Sequence, residues 1–357
     1  MADRAHLALP PPRFDHLRRL TDSRGLVEHA RGDVPRDDVG YCTDDVARAL
    51  VLTCLAGEEQ HDLARFYRDW VVEAVAEDGS CRNRMSPEGT WLDLPTLGDW
   101  WGRAIWGLGV AVADGLADPA AEGALERLIR RRSPWRRSMA YAALGAAEVV
   151  GRLPGAAELL ADAVEVVTRR EPDAGRTPSW TWPEQRLRYD NAILPLALIN
   201  AAGPLDDPRP LQLGLGWLEF LVAVQQHDGH LSVAPVNGRG PGEGPPGFDQ
   251  QPIELGSLAL AGDAAFRLTG DNRWRQLVGA AAGWFTGLND IGLWLVDPDT
   301  GAGYDGLTPD GCNLNRGAES TLAANFSMLA AHRRGVSACP PPFASTAASD
   351  CDPTRIG

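Results

Sequence analysis

The chain of 357 residues is 44% apolar and 23% charged, with a net charge of −14 at pH 7. That length supports a large buried core. The acidic balance, with no basic run interleaved with aromatics, excludes nucleic acid and anionic membrane surfaces as partners.

The opening "MADRAHLALPPPRFDHL" has no signal-peptide core and no window is long enough to span a bilayer, so the expected address is the cytoplasm. An amphipathic stretch at 13–22 then precedes "GYCTDDVARALVL" (40–52), where an apolar helix begins near Asp44. From there two kinds of helix alternate. Segments with one apolar stripe and one charged face fall near 61–77, 119–131, 155–169, 209–227 and 271–287. Segments apolar on nearly every side begin near Asp99, Arg137, Asp190, Pro252 and Gly317. Six inner and six outer helices predict an all-α fold, the (α/α)6 toroid, as a single domain over 1–335. Residues 336–357, "VSACPPPFASTAASDCDPTRIG", have the composition of a disordered tail.

The connections repeat as well. "EDGSC", "HDGHLS" and "YDGLTPDG" each place Asp-Gly before a polar, strand-like piece, which predicts short β-hairpin-like loops at a cleft rim. Each is followed by a carboxylate entering a small-residue helix, and the starts near Asp44 and Asp190 fit the second half of that plan.

An acid at a helix start is ordinarily a cap that suits the macrodipole. Here the pattern is collective: helices of a toroid start on one rim, so their acids converge on one cleft. Crowded carboxyls in a concave site separate into protonated and ionised members, which is what acid–base chemistry needs. The candidate catalytic residues are Asp44, Asp45, Asp190, Asp249 and Glu319, with Glu254 beside them. Glycosidic hydrolysis needs two such carboxyls across the scissile bond.

Carboxylates with Trp around them also suit sugars, whose hydroxyls take carboxylates and whose apolar faces take rings. Candidate substrate-binding residues are Asp99, Trp100, Trp101, Arg103, Trp182, Glu184, Tyr189, Asn191, Gln250, Gln251, Glu254, Asn315 and Arg316. Trp180 joins the cleft aromatics, and Trp106 and Trp217, inside helices, are assigned to the core. Arg48, Arg103 and Arg316 are expected to neutralise part of the acid ring.

Other chemistry reads weaker. "DPDTGAGYDG" (297–306) spaces Asp like a calcium loop, but the required Gly and terminal Glu are misplaced, so a turn is expected. "GLGVAVADG" (107–115) follows no strand and is no dinucleotide fingerprint. There is no GxSxG, Walker A or HExxH motif, and Cys42, Cys54, Cys81, Cys312, Cys339 and Cys351 lack CxxC spacing. No metal site, disulfide frame or organic cofactor is expected. Among the loop histidines, His16, His29, His227 and His230, only His29 is placed to reach the cleft.

The motifs "GYCTDDVARAL", "YDNAILPLAL", "FDQQPIE" and "NLNRGAEST" together resemble a bacterial family of glycosyltransferase-associated (α/α)6 toroids in the six-hairpin glycosidase-like superfamily. The resemblance spans about residues 13–332. It implies carbohydrate metabolism and a glycosyltransferase partner, without a settled reaction. The chain departs from the family pattern at Val46, where the family has Asn, and at Gln185, where an acid follows Glu184. The expected activity is glycoside hydrolysis on a bacterial oligo- or polysaccharide. Sugar epimerase, polysaccharide lyase and noncatalytic glycan binding are the alternatives.

Overall fold

A computed structural model of the chain describes residues 8–172, 174 and 179–342. Among them are twelve α-helices: α1 (Asp15–Leu20), α2 (Thr43–Ala56), α3 (His61–Ala74), α4 (Asp99–Ala113), α5 (Pro119–Ile129), α6 (Arg136–Val149), α7 (Ala156–Thr168), α8 (Ile193–Ala201), α9 (Pro208–Gln225), α10 (Ile253–Thr269), α11 (Asn272–Phe285) and α12 (Ala318–Arg334). The even-numbered helices form an inner ring in which each packs on the next and α12 returns to α2. Each odd-numbered helix backs an inner one, with α1 closing the set against α12. The architecture is an (α/α)6 toroid.

Composition explains the layering. Inner helices such as α8, "ILPLALINA", have no polar face to show water, so both sides are covered. Where α4 and α6 cross, small residues let the backbones touch. A Cβ on Gly145 would lie 2.0 Å from the carbonyl oxygen of Ile105, and one on Gly109 would lie 2.4 Å from that of Gly145. Asp caps begin three outer helices: Asp118 accepts from Ala121 N–H, Asp207 from Arg209 N–H and Asp271 from Arg273 N–H. None of the six inner helices has a side-chain N-cap; the first N–H groups of α2 donate to Asn83 instead, and that of Ala318 in α12 donates to the Glu28 carbonyl.

Four two-stranded ladders decorate that rim: β1 (Ala30–Arg31) with β2 (Val34–Pro35), β3 (Tyr41–Cys42) with β4 (Arg84–Met85), β5 (Gln226–His227) with β6 (His230–Leu231), and β7 (Gly306–Thr308) with β8 (Gly311–Asn313), all antiparallel. The Asp-Gly stretches at 228–229 and 305–306 belong to local hairpins as expected. At 78–79 the turn is closed by a single antiparallel bridge, Val75 to Cys81, and the next strand, β4, pairs with β3 ahead of α2. Residues 336–342, expected as the start of a disordered tail, pack on the body, with Ala338 and Cys339 buried. The rest of that segment lies outside the described residues. No described helix is long and apolar enough to cross a membrane.

Candidate active site

The inner helix starts surround a cavity of about 310 Å³. Asp44, Asp45 and Arg48 of α2, Arg103 of α4, Gln251 before α10 and Glu319 of α12 line it. Glu28, His29 and Asp305 enter from loops and Arg84 from β4. The acids are not caps. The N-cap of α2 is Cys42 and that of α12 is Gly317, and both make extended turns that leave Asp44, Asp45 and Glu319 within the first helical turn. Adjacent residues on a helix point about 100° apart, so the paired aspartates face different neighbours.

Asp44 turns toward α4. Its Oδ1 accepts from Arg103 Nη1 at 2.5 Å and its Oδ2 from Asn83 Nδ2 at 3.0 Å. Asp45 turns toward α12 and is only 2% exposed. Its Oδ1 accepts from Arg48 Nη2 at 2.5 Å, and its Oδ2 from the Cys42 thiol at 3.2 Å. The same Arg48 nitrogen donates to Glu319 Oε2 at 3.0 Å. Glu319 leaves 43% of its side chain exposed, and its Oε1 has no hydrogen bond among the described residues. Burial raises the Asp45 carboxyl to about 6; Arg48 opposes this, and the charges of Glu319 and Glu28 add to it.

Below the cavity the toroid narrows to a waist of about 30 Å³, lined by Arg48, Trp106, Asp190 and Ser257 among others. Asp190 sits there, three residues before α8 begins, in a left-handed conformation with φ 46°. The Tyr141 phenol donates to its Oδ2 and accepts from Arg103 Nη2 at 2.7 Å. Asp190 Oδ1 is buried without a partner. Asp190 thus joins the site through Tyr141 and Arg103 and does not line the cavity. Asp249 is exposed at the rim, apart from the cavity lining.

Most of the expected sugar contacts serve the frame. Glu184 is buried under a two-pronged bond from Arg137, at 2.8 and 3.0 Å, and accepts weakly from Trp182 Nε1 at 3.3 Å. Burial alone would raise its carboxyl, but Arg137 holds it below the usual carboxylate range. Trp101 and Trp182 are fully buried and offer no ring to a ligand; Trp182 packs on Trp217 and Phe220. Trp180 is buried too, its Nε1 donating to Glu184 O at 2.8 Å, and Trp100 donates to Cys81 O at 2.8 Å. Asn191 is buried and donates from Nδ2 to Glu254 Oε2 at 3.1 Å. Glu254 is itself pushed up to about 8 by burial and by the charge of Asp190. Gln250 is buried between Asp290 and Trp284 Nε1.

Asp99 accepts from Ser138 Oγ at 2.8 Å and from the Tyr189 phenol, and burial raises its carboxyl. Tyr189 is exposed over Arg137, 4.9 Å from the guanidinium. Asn315 binds Gly32 N–H at 3.2 Å. Arg316 does not neutralise the acid ring; it reaches Asp297 at 3.3 Å and the Tyr304 phenol at 2.7 Å. Asp297 also accepts from Asp299 and Thr300 N–H, the turn that was expected. At the two departures from the family pattern, Val46 is fully buried in the core and Gln185 is exposed.

Sequence reasoning missed Glu28, Arg84, Asp305 and Tyr141. Glu28, Cys42 and Asp45 bring ligand-type atoms within 4.8 Å of one another. Both carboxyls of this cluster already have a guanidinium partner, Arg84 for Glu28 and Arg48 for Asp45.

No family model and no curated protein sequence matches the chain. Solved structures do. The sugar epimerase from a ruminal bacterium matches with a TM-score of 0.67 at 14% identity, covering 90% of this chain and 95% of that one. Cellobiose 2-epimerase from Spirochaeta thermophila gives 0.68 at 15%, covering 90% and 93%. A GH76 α-mannanase from Bacteroides thetaiotaomicron gives 0.62 at 11%, covering 89% and 92%. These likenesses agree on the fold, the (α/α)6 toroid.

Proposed function

We propose that the chain is a carbohydrate-active enzyme, a glycoside hydrolase whose cleft is the acid-lined cavity. One observation carries this reading: Asp45 and Glu319 share one Arg48 nitrogen, the first buried with its carboxyl raised to about 6, the second half-exposed. Cleavage of a glycosidic bond needs a proton for the leaving oxygen and a carboxylate at the anomeric carbon. Asp45 supplies the proton and Glu319 the carboxylate. Because both accept from one nitrogen, at 2.5 and 3.0 Å, their bonded oxygens are at most about 5.5 Å apart, the short spacing of a retaining pair rather than the roughly 6.5–9.5 Å of an inverting one. Retention of configuration follows: Glu319 forms the glycosyl ester as the leaving alcohol takes Asp45's proton, and Asp45 then deprotonates the water that releases the sugar. Asp44 and Gln251 are placed to bind hydroxyls.

Epimerisation on the same toroid is the rival. Among the described residues lining the cavity the only histidine is His29, against five carboxyls, and this favours carboxylate chemistry. The test is a panel of neutral oligosaccharides, read for new reducing ends and for epimers by NMR. New reducing ends that Asp45→Asn and Glu319→Gln both abolish support the hydrolase. An epimer without them supports the rival. Binding without turnover leaves a noncatalytic glycan-binding partner of a glycosyltransferase, and no binding at all overturns the reading.

A further inference from the structure

The toroid has a second cavity, of about 160 Å³, on the face opposite the acid ring. It lies at the C-terminal ends of the inner helices, and all six reach it: Leu55 of α2, Val110 of α4, Glu148 of α6, Asn200 of α8, Arg267 of α10 and Arg333 of α12. Its floor is apolar, built from Val51, Leu144, Leu196, Leu329 and the near-parallel rings of Trp106 and Phe326. Those two rings also border the waist, so they divide this cavity from the one above.

The rim is unevenly charged. Asp263 is shared between Arg334 and Arg267, the latter at 3.4 Å. Arg333 is exposed and donates only to the Leu55 carbonyl. Glu148 makes no hydrogen bond among the described residues, and partial desolvation raises its carboxyl against the pull of Arg267. Three guanidiniums therefore face two carboxyls. Cations at helix C-termini are ordinary complements to the dipole. What is added here is an apolar floor of the size that accepts a benzene ring, about 150 Å³ in a well-studied engineered cavity.

We propose that this back cavity binds a small amphipathic anion, with an apolar ring on the Trp106–Phe326 floor and a carboxylate on Arg333 and Arg267. An ionised acceptor on guanidinium donors forms the stronger, charge-assisted kind of hydrogen bond. The site is separate from the proposed catalytic chemistry and stands whether or not that chemistry is correct.

The test uses the full chain with benzoate, benzyl alcohol and benzylamine as probes, followed by calorimetry and ligand-observed NMR. Benzoate is expected to bind at least tenfold more tightly than either analogue. Arg333→Glu is expected to weaken benzoate at least tenfold with the melting temperature unchanged, and Leu329→Trp, which fills the floor, to abolish binding of all three. If Leu329→Trp fails to fold, Arg333→Glu, at an exposed position, decides. Equal affinity for the three probes, no benzoate binding, or benzoate binding indifferent to Arg333→Glu overturns the proposal.

Discussion

Arg48 of α2 and Glu319 of α12, 271 residues apart in sequence, meet at 3.0 Å, so an ion pair at the cleft joins the first inner helix to the last. The two ends of this contact are unequal. Arg48 is buried and also holds the buried Asp45, whereas Glu319 is open to solvent. Arg48→Met strands Asp45 without its cation, and breaking a buried pair costs about 3–5 kcal/mol. Glu319→Gln removes a half-exposed partner, worth about 1 kcal/mol or less. Denaturant titration of both variants is expected to show this asymmetry. Equal losses would make Glu319 a structural strut and remove it from the proposed chemistry.

The pH profile of turnover follows from Asp45. A general acid works only while protonated, and burial places its pKa at about 6. Activity is expected to fall as pH rises through about 6. Rates measured from pH 4.5 to 8 check this; a profile flat across that range assigns the proton to another group.

Glu254 makes stability itself depend on pH. Its folded pKa of about 8 lies above the unfolded value of 4.5, so folding takes up a proton between the two. The stabilisation is full below about 4.5 and is lost as pH rises through about 8, on the order of 5 kcal/mol in all. Asp45 adds a smaller slope of the same sign between about 4 and 6. Glu254→Gln keeps an oxygen for Asn191 and cannot ionise. It is expected to match the parent near pH 5 and to exceed it at pH 8.5. Chemical denaturation at those two values measures the difference, and identical slopes for parent and variant would contradict the linkage.

Glu184 separates a frame residue from a substrate contact. Glu184→Gln leaves the buried Arg137 without its carboxylate, and a loss of about 3 kcal/mol or more is expected. The folded fraction should keep its KM. A raised KM with unchanged stability would return Glu184 to the cleft.

The helical plan was readable because burial leaves its mark on composition. Segments α8 and α12 lack a polar face while α3 has one, and only a ring of inner helices inside a ring of outer ones uses both kinds. The expected starts near Asp99, Pro252 and Gly317 lie at or one residue before those of α4, α10 and α12. The start near Asp190 falls three residues early, because its left-handed backbone cannot sit inside a helix. Convergence of Asp44, Asp45 and Glu319 followed from topology alone. Trp101 and Trp182 did not follow, since a ring turned inward and one turned outward have the same local signal. Glu28 and Asp305 lie in loops and Arg84 in a two-residue strand, with no period to read, and Tyr141 looks like any aromatic in an apolar helix.

What the sequence determined by itself was the number and order of helices and the placing of carboxyls in the first turns of the inner ring, because these depend on periodicity and on neighbours a few residues away. What only the tertiary structure decided was which carboxyl is tied to a guanidinium, which is orphaned and which keeps its proton. Those outcomes rest on distances between side chains hundreds of residues apart and on the dielectric around them, and charge interactions weaken with both.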